Sequence, residues 1–409
     1  MVYYNFKKHK EFFYLDLIVY LIPISIILGN LIINILSVIC FFIYITLIFK
    51  GKIFYKNYKN YFNVFYALMI FFLINLVLSS NFQMSLVSLL GFVRYYFLFL
   101  AILFCLNEIK DFKNIFSKII FILVLFVTID VSIQHIFSID LFGNEIIGSH
   151  GRRLSGPFGD EGVAGSFISK LFFLSCIYLY SNNIGKKLLF SIIIISIFVV
   201  ILTNERSASI MFFAATLIFF IFCNLKFWKK FILLLLTVLS LATLINTNSN
   251  LKSHFVDIPL KYFKDNHHKA HYLTSYEIFK ENKIFGSGIK TFRYLCGDEK
   301  YENIKTKYAS NRCATHPHNI YLEILSEAGI FGMLIFITIN LYILISLIVN
   351  FFKDKSLSQE ILFLFCSFFI LFWPLQTTGS FFSTWNGIFY WIFFSYFFNL
   401  KNKLAIKFI

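Results

Sequence analysis

The chain has 409 residues, of which 58% are hydrophobic, 21% aromatic and only 14% charged, with a mean hydropathy of +0.75. Soluble domains carry about 25% charged residues, so this chain has too little polar surface for a water-soluble globule; disorder, a coiled coil and a disulfide-stapled secreted scaffold are excluded with it. The net charge of +16 does not indicate nucleic acid, because a nucleic-acid binder gathers its bases on one element, whereas these fall in short clusters between apolar runs, as in the cytoplasmic loops of membrane proteins.

Met1 to Lys10 is basic, but no small-residue cleavage site follows the next apolar run, so the first span reads as a retained helix rather than a signal peptide. A membrane span needs about 20 mostly apolar residues. Candidates fall near 12–28, 30–49, 62–80, 85–106, 114–136, 161–180, 186–203, 207–224, 229–246, 328–350, 358–376 and 381–400. These runs are continuous rather than alternating, which predicts an all-α polytopic membrane protein of about twelve helices and not a β-barrel. No internal repeat is visible. Residues 1–246 carry spans 1–9 with a short external loop at 137–160, residues 247–317 form one large external loop, and residues 318–409 carry spans 10–12.

With the N-terminus cytoplasmic, 20 of the 37 Lys and Arg lie in the two tails and in the stretches near 50–60, 107–118, 181–187, 224–230 and 351–357. The short loops on the other face hold only Arg152, Arg153 and Arg206. The long loop carries 12 more, but long loops translocate largely regardless of charge. Twelve spans with both ends inside satisfy the rule, and an odd number would put one cluster on the wrong face.

Charges at membrane depth are costly. Arg94 in span 4 and Lys170 in span 6 read first as structural ion pairs or snorkelling side chains, with Asp130 and Glu161 as possible partners. The external stretch Gly148-Ser149-His150-Gly151-Arg152-Arg153-Leu154-Ser155-Gly156-Pro157-Phe158 is glycine-rich, basic and leads into a helix. It suits an anionic oxygen, and an ordinary turn with two solvated arginines fits it equally. Arg206 occupies the tight external turn between spans 7 and 8, and Arg293 follows Gly286-Ser287-Gly288 on the long loop. Together, Arg206, Arg293 and the Arg152/Arg153 pair suit a diphosphate. No Walker-type loop is present, so nucleotide hydrolysis is not expected.

His267, His268 and His271 resemble metal spacing, but no Cys or carboxylate completes the three or four ligands zinc requires. No metal site is expected. Five cysteines lie in apolar spans; Cys296 and Cys313, alone in the long loop, are expected to bridge on an oxidising face. The loop ends in His316-Pro317-His318-Asn319-Ile320-Tyr321-Leu322-Glu323. Pro317 fixes a turn and apolar periodicity after Asn319 predicts a helix running into span 10. At its positive end a neutral His318 could serve as a base, or the segment could be a helix cap that merely contains histidine.

The run His316-Pro317-His318-Asn319-Ile320-Tyr321-Leu322-Glu323-Ile324-Leu325-Ser326-Glu327-Ala328-Gly329-Ile330-Phe331-Gly332 resembles the signature of the bacterial O-antigen ligase and polymerase superfamily. Glu205-Arg206-Ser207-Ala208, Phe285-Gly286-Ser287-Gly288 with Arg293, and the Arg-x-Ser-Gly-Pro-Phe segment from Arg153 add to it. The resemblance implies a GT-C-like glycosyltransferase acting on an undecaprenyl-diphosphate-linked glycan at the periplasmic face of the bacterial inner membrane, without cofactor, metal or nucleotide sugar. His318 then matches the general base, Arg206 and Arg293 the diphosphate-binding arginines, Arg153 with Arg152 a further contact, and His316 and Asn319 residues that support the base or the acceptor. The acceptor is the lipid A core oligosaccharide in the ligase branch, or a second lipid-linked repeat unit in the polymerase branch. The short first external loop leans toward ligase. A lipid-linked glycan transporter or flippase is the rival, against which stand the missing repeat and the gathering of unusual residues on one face; a purely structural scaffold leaves the His-Asn element without a role.

Overall fold

The computed structural model describes residues 6–147, 153–261 and 265–407. Within them the chain is helical, and its only extended pairings are two isolated bridges, Ile139 with Glu145 and Ile147 with Arg153. In chain order the helices are α1 (Phe6–Leu28), α2 (Asn30–Phe49), α3 (Tyr55–Val77), α4 (Phe82–Glu108), α5 (Phe112–Phe137), α6 (Ala164–Ser181), α7 (Lys186–Leu202), α8 (Arg206–Phe222) and α9 (Phe227–Thr247). Shorter helices come next, α10 (Ser249–Lys252), α11 (Ile258–Lys261), α12 (His267–Glu281) and α13 (Phe292–Leu295), before α14 (Ile320–Lys353), α15 (Ser358–Phe372) and α16 (Thr384–Lys407).

Each of the twelve apolar stretches falls on one of α1–α9 or α14–α16. Among the described residues seven helices, α2, α3, α4, α5, α6, α9 and α14, are long and apolar enough to cross a bilayer. The apolar parts of α1, α7, α8 and α15 are shorter, 10–17 residues. The chain is a multi-pass membrane protein. The long stretch between α9 and α14 holds short helices, as its mixed polarity predicts, and the longest of them, α12, starts where Asn266 accepts the Lys269 backbone N–H at 3.0 Å.

The helices group into two compact units. The first comprises residues 1–110, 264–342 and 374–409. Its centre is α4, most of whose apolar length is buried. Phe92, Tyr96 and Phe99 of α4 surround Trp391 of α16 with ring centroids 5.5, 5.8 and 6.1 Å away, and Asn399 donates to the Leu106 carbonyl at 3.0 Å. Aromatic edges and faces thus fill the space between these helices, each pair adding about 1 kcal/mol beyond burial. The second unit comprises residues 111–263 and 343–373. Phe172 of α6 meets Phe212 of α8 at 5.0 Å, Phe219 stacks on Phe363 of α15 at 5.7 Å, and Lys113 pairs with Glu360.

A break near the start of α14 gives the preceding loop a backbone to dock on. Gly329 departs from helical dihedrals (φ 69°, ψ −168°), so residues 320–328 form a separate short helix ahead of the apolar segment. Residues 283–288 lie against this break. Ile330 N–H donates to the Lys283 carbonyl at 2.8 Å, Ser287 N–H to Ser326 at 3.0 Å and Gly288 N–H to Glu327 at 3.0 Å. A Cβ on Gly286 would collide with the Glu327–Ala328 backbone, and one on Gly329 with the Ile284 carbonyl; both glycines have positive φ, 78° and 69°.

Candidate functional site

In the first unit, residues 315–319 form a short connection into α14 that is fixed from several sides. Asn319 is the helix cap: its Oδ1 accepts from the Tyr321 and Leu322 N–H groups at 3.0 and 3.1 Å. Its Nδ2 donates to the Pro374 carbonyl at 2.7 Å and to Gln376 at 3.3 Å. His318 precedes the cap at φ 59°, a left-handed conformation uncommon outside glycine. Its carbonyl accepts from the Thr378 N–H at 2.9 Å.

The two histidines of this segment differ in their bonds. His316 Nε2 lies 3.0 Å from the Thr378 carbonyl, which can only accept, so Nε2 carries the proton. The opposite nitrogen, Nδ1, then accepts from the Thr315 hydroxyl at 2.9 Å. Both ring nitrogens are used and His316 is a neutral, structural imidazole. By contrast, no hydrogen bond engages the half-buried His318 ring among the described residues. The His316 ring lies 4.3 Å from it, and those of His268 and His271 each 5.2 Å. Burial first, then His316, His268 and His271, pulls His318 down to about 3. It is therefore neutral throughout the physiological range, with a nitrogen able to accept a proton.

Further along α14, Glu327 fixes the loop that bears the cations. Its carboxylate accepts from the Lys290 N–H at 2.7 Å and the Phe292 N–H at 3.2 Å. One turn earlier, Glu323 accepts from the Phe381 N–H at 2.8 Å and from the Ser380 hydroxyl. Asn75 of α3 donates to the carbonyls of Phe285 and Glu327 at 2.6 and 2.8 Å. Both glutamates are thereby occupied by backbone N–H groups. Arg293, at the start of α13, has a buried Nε without a partner, as does Arg94 in α4, whose guanidinium lies 4.7 Å over the Tyr95 ring. Lys290 lies below the usual lysine range, first through burial and then through Arg293. This corner of the first unit thus combines a neutral base with cations whose nearest carboxylates are committed elsewhere.

Cys296 and Cys313 are joined, with Cα atoms 5.2 Å apart and a sequence separation of 17. Arg312 reinforces the closure by donating to the Cys296 carbonyl at 2.9 Å, while its own carbonyl lies 3.2 Å from His271 Nδ1. Ile278, Phe292, Cys296 and Tyr301 form a small apolar core beneath the bridge.

The second unit has its own cationic group. Glu205 caps α6, accepting from Gly165 N–H at 2.6 Å, Ser166 N–H at 3.2 Å and the Ser166 hydroxyl at 2.6 Å. Arg206, next in sequence, is therefore directed elsewhere; its Nε donates to His254 Nε2 at 3.2 Å and Arg153 is its cationic neighbour. Arg152 lies outside the described residues. Lys170 has Glu205 as its electrostatic partner, rather than the expected Asp130 or Glu161, and Arg94 makes a ring contact rather than an ion pair.

Of the residues singled out from sequence, His316, His318, Asn319 and Arg293 gather in the first unit, and Arg206 and Arg153 in the second. His267 bonds to Asn311 at 2.6 Å and lies against the Tyr308 ring, though it still acts electrostatically on His271, and among the described residues no three His, Cys, Asp or Glu are disposed to hold a metal ion. Sequence reasoning gave no role to Glu323, Glu327 or Lys290. Two acids four residues apart in an otherwise apolar helix were the available signal. Residues 191–337 match the family model described as O-antigen ligase. The match takes in Arg206, Arg293 and the His316–Gly332 run and leaves Arg153 outside. No curated protein matches the chain.

Proposed function

From a chain that shares residues 191–337 with the O-antigen ligase and polymerase superfamily, we propose a metal-independent glycosyltransferase that moves a glycan from undecaprenyl diphosphate to the lipid A core oligosaccharide. In this reading twelve helices cross the inner membrane in a GT-C-like arrangement, both termini are cytoplasmic, and the loop 247–317 is periplasmic. The observation that carries it is the contrast between the two histidines: His316 spends both nitrogens on Thr315 and Thr378, while the neighbouring His318 ring makes no hydrogen bond among the described residues, in a unit where Arg293 acts electrostatically on His316 and Lys290 on Glu323.

The reaction is a direct displacement at the anomeric carbon. His318 accepts the proton of the acceptor hydroxyl as its oxygen forms the new glycosidic bond. The bond from that carbon to the diphosphate oxygen breaks, and the electron pair leaves with the lipid diphosphate. Arg293 stabilises the charge growing on the leaving group, where preorganised cations contribute most. Arg206 and Arg153 are assigned to phosphate recognition on the resemblance.

The test is reconstitution with lipid-diphosphate-linked repeat units, first alone and then with lipid A core added. Glycan carried on the core, and formed only after its addition, supports the ligase. Longer lipid-linked chains in the first tube replace it with the polymerase. Movement of substrate across the bilayer with no new glycosidic bond defeats both.

A further inference from the structure

Two imidazoles beyond His316 reach His318, and the displacement reaction gives them no part. α12 carries His268 and His271 three residues apart, on one face. Their rings lie 6.2 Å from each other, and each is 5.2 Å from the His318 ring. The His271 Nδ1–H donates to the Arg312 carbonyl beside the disulfide, and its side chain is buried. This face of α12 is itself held: Ser275 donates to the Leu322 carbonyl of α14 at 2.8 Å, and Tyr272 stacks with His268 at 6.3 Å. α12 is thus locked against the first turn of α14 so that its two histidines look onto the His318 ring.

We propose that His268 and His271 are positioning residues for His318: they wall its ring on the α12 side against water and against a proton from bulk solvent, so that a free nitrogen faces the acceptor hydroxyl. The proposal rests on reading His318 as the base. Facing His318 are His268 and His271 from α12 and His316 from its own segment; from residues 374–381 comes the Thr378 backbone, with Glu323 of α14 held at Ser380 and Phe381. Arg293 acts from α13 through His316. Burial is the first cause that opposes a proton on His318 and the neighbouring imidazoles the next; removing the two rings that wall it opens it to water and relieves both.

The test uses the full chain in proteoliposomes, as wild type, His268→Asn/His271→Asn and the control His267→Asn. Of the two forms of a histidine, diethyl pyrocarbonate attacks the neutral one, so the rate of His318 carbethoxylation against pH, localised by mass spectrometry, reads its protonation without reference to activity. In wild type the rate of this modification, corrected for reagent, should stay flat from pH 7 to pH 5. In the double variant it should fall at least threefold over the same interval, and the acid limb of the kcat/KM profile should move to higher pH. The His267→Asn protein should behave as wild type. Should the double variant fail to fold, His271→Gln alone, which keeps a donor for Arg312, should show the same change at smaller amplitude. A flat profile in the folded variant overturns the proposal. A moved carbethoxylation profile with an unmoved kcat/KM profile upholds the positioning and removes His318 as base.

Discussion

At the scale of single residues, the division of labour between His316 and His318 is set by hydrogen bonds. His318→Ala, with normal expression, should lose about 10²–10⁴-fold in transfer, the usual contribution of a positioned general base. Arg293→Lys should lose about tenfold or more, because an ammonium cannot reproduce the planar fork that engages two phosphate oxygens. Both are read from initial rates of glycan transfer. His271, His316 and His318 are all held below the ordinary histidine range, burial being the first cause in each. Groups depressed by folding contribute stability above their unfolded value near 6.5 and lose it as pH falls toward their folded values. The thermal midpoint should therefore drop between pH 7 and pH 5, and the drop should shrink in His271→Asn; a midpoint unchanged over that range would contradict the assignment.

At the scale of elements, the break in α14 and the loop against it form one device. Gly286 and Gly329 meet backbone rather than side chain, so no rotamer change can relieve an added methyl group. Gly329→Ala should lower stability by about 2–3 kcal/mol and reduce activity with it, measured by thermal unfolding in detergent alongside the transfer rate. Such detail was only partly legible in the sequence. The apolar runs located α1–α9 and α14–α16, of which seven are long and apolar enough to cross a bilayer, because a long stretch of Ile, Leu and Phe permits little besides helix there. The capping role of Asn319 could also be anticipated, since it precedes the periodic run. The docking of 283–288 onto α14 could not, because those contacts are backbone hydrogen bonds between segments about 40 residues apart in sequence, and nothing in local pattern encodes such a pairing. For the same reason no local pattern gives Lys290 a role: the group that holds its backbone N–H is the carboxylate of Glu327, on another segment.

At the scale of the whole molecule, the covalent closure between Cys296 and Cys313 joins the segment after Arg293 to the segment before His316. In the chain-entropy view a loop of this length contributes about 3 kcal/mol. Cys296→Ser/Cys313→Ser, or wild type under strong reductant, should melt at lower temperature and lose transfer activity without losing membrane insertion, since the apolar helices do not depend on the bridge. Melting curves with and without reductant distinguish the cases, and an unchanged midpoint would mean that Arg312 and the small apolar core suffice.

The histidine segment is also tied to residues made much later. Pro374 and Gln376 accept from Asn319, Thr378 bonds both His316 and His318, and Ser380 and Phe381 occupy Glu323. Chains emerge from the ribosome N-terminus first, so His318 is synthesised and delivered to its side of the bilayer before any of these partners exists. The segment acquires its geometry only once the connection ahead of the last helix has been threaded into place. Assembly thus runs backward relative to synthesis at this point, and a nascent chain arrested before Pro374 would hold every histidine and arginine of the first unit yet lack the clamp that orients them.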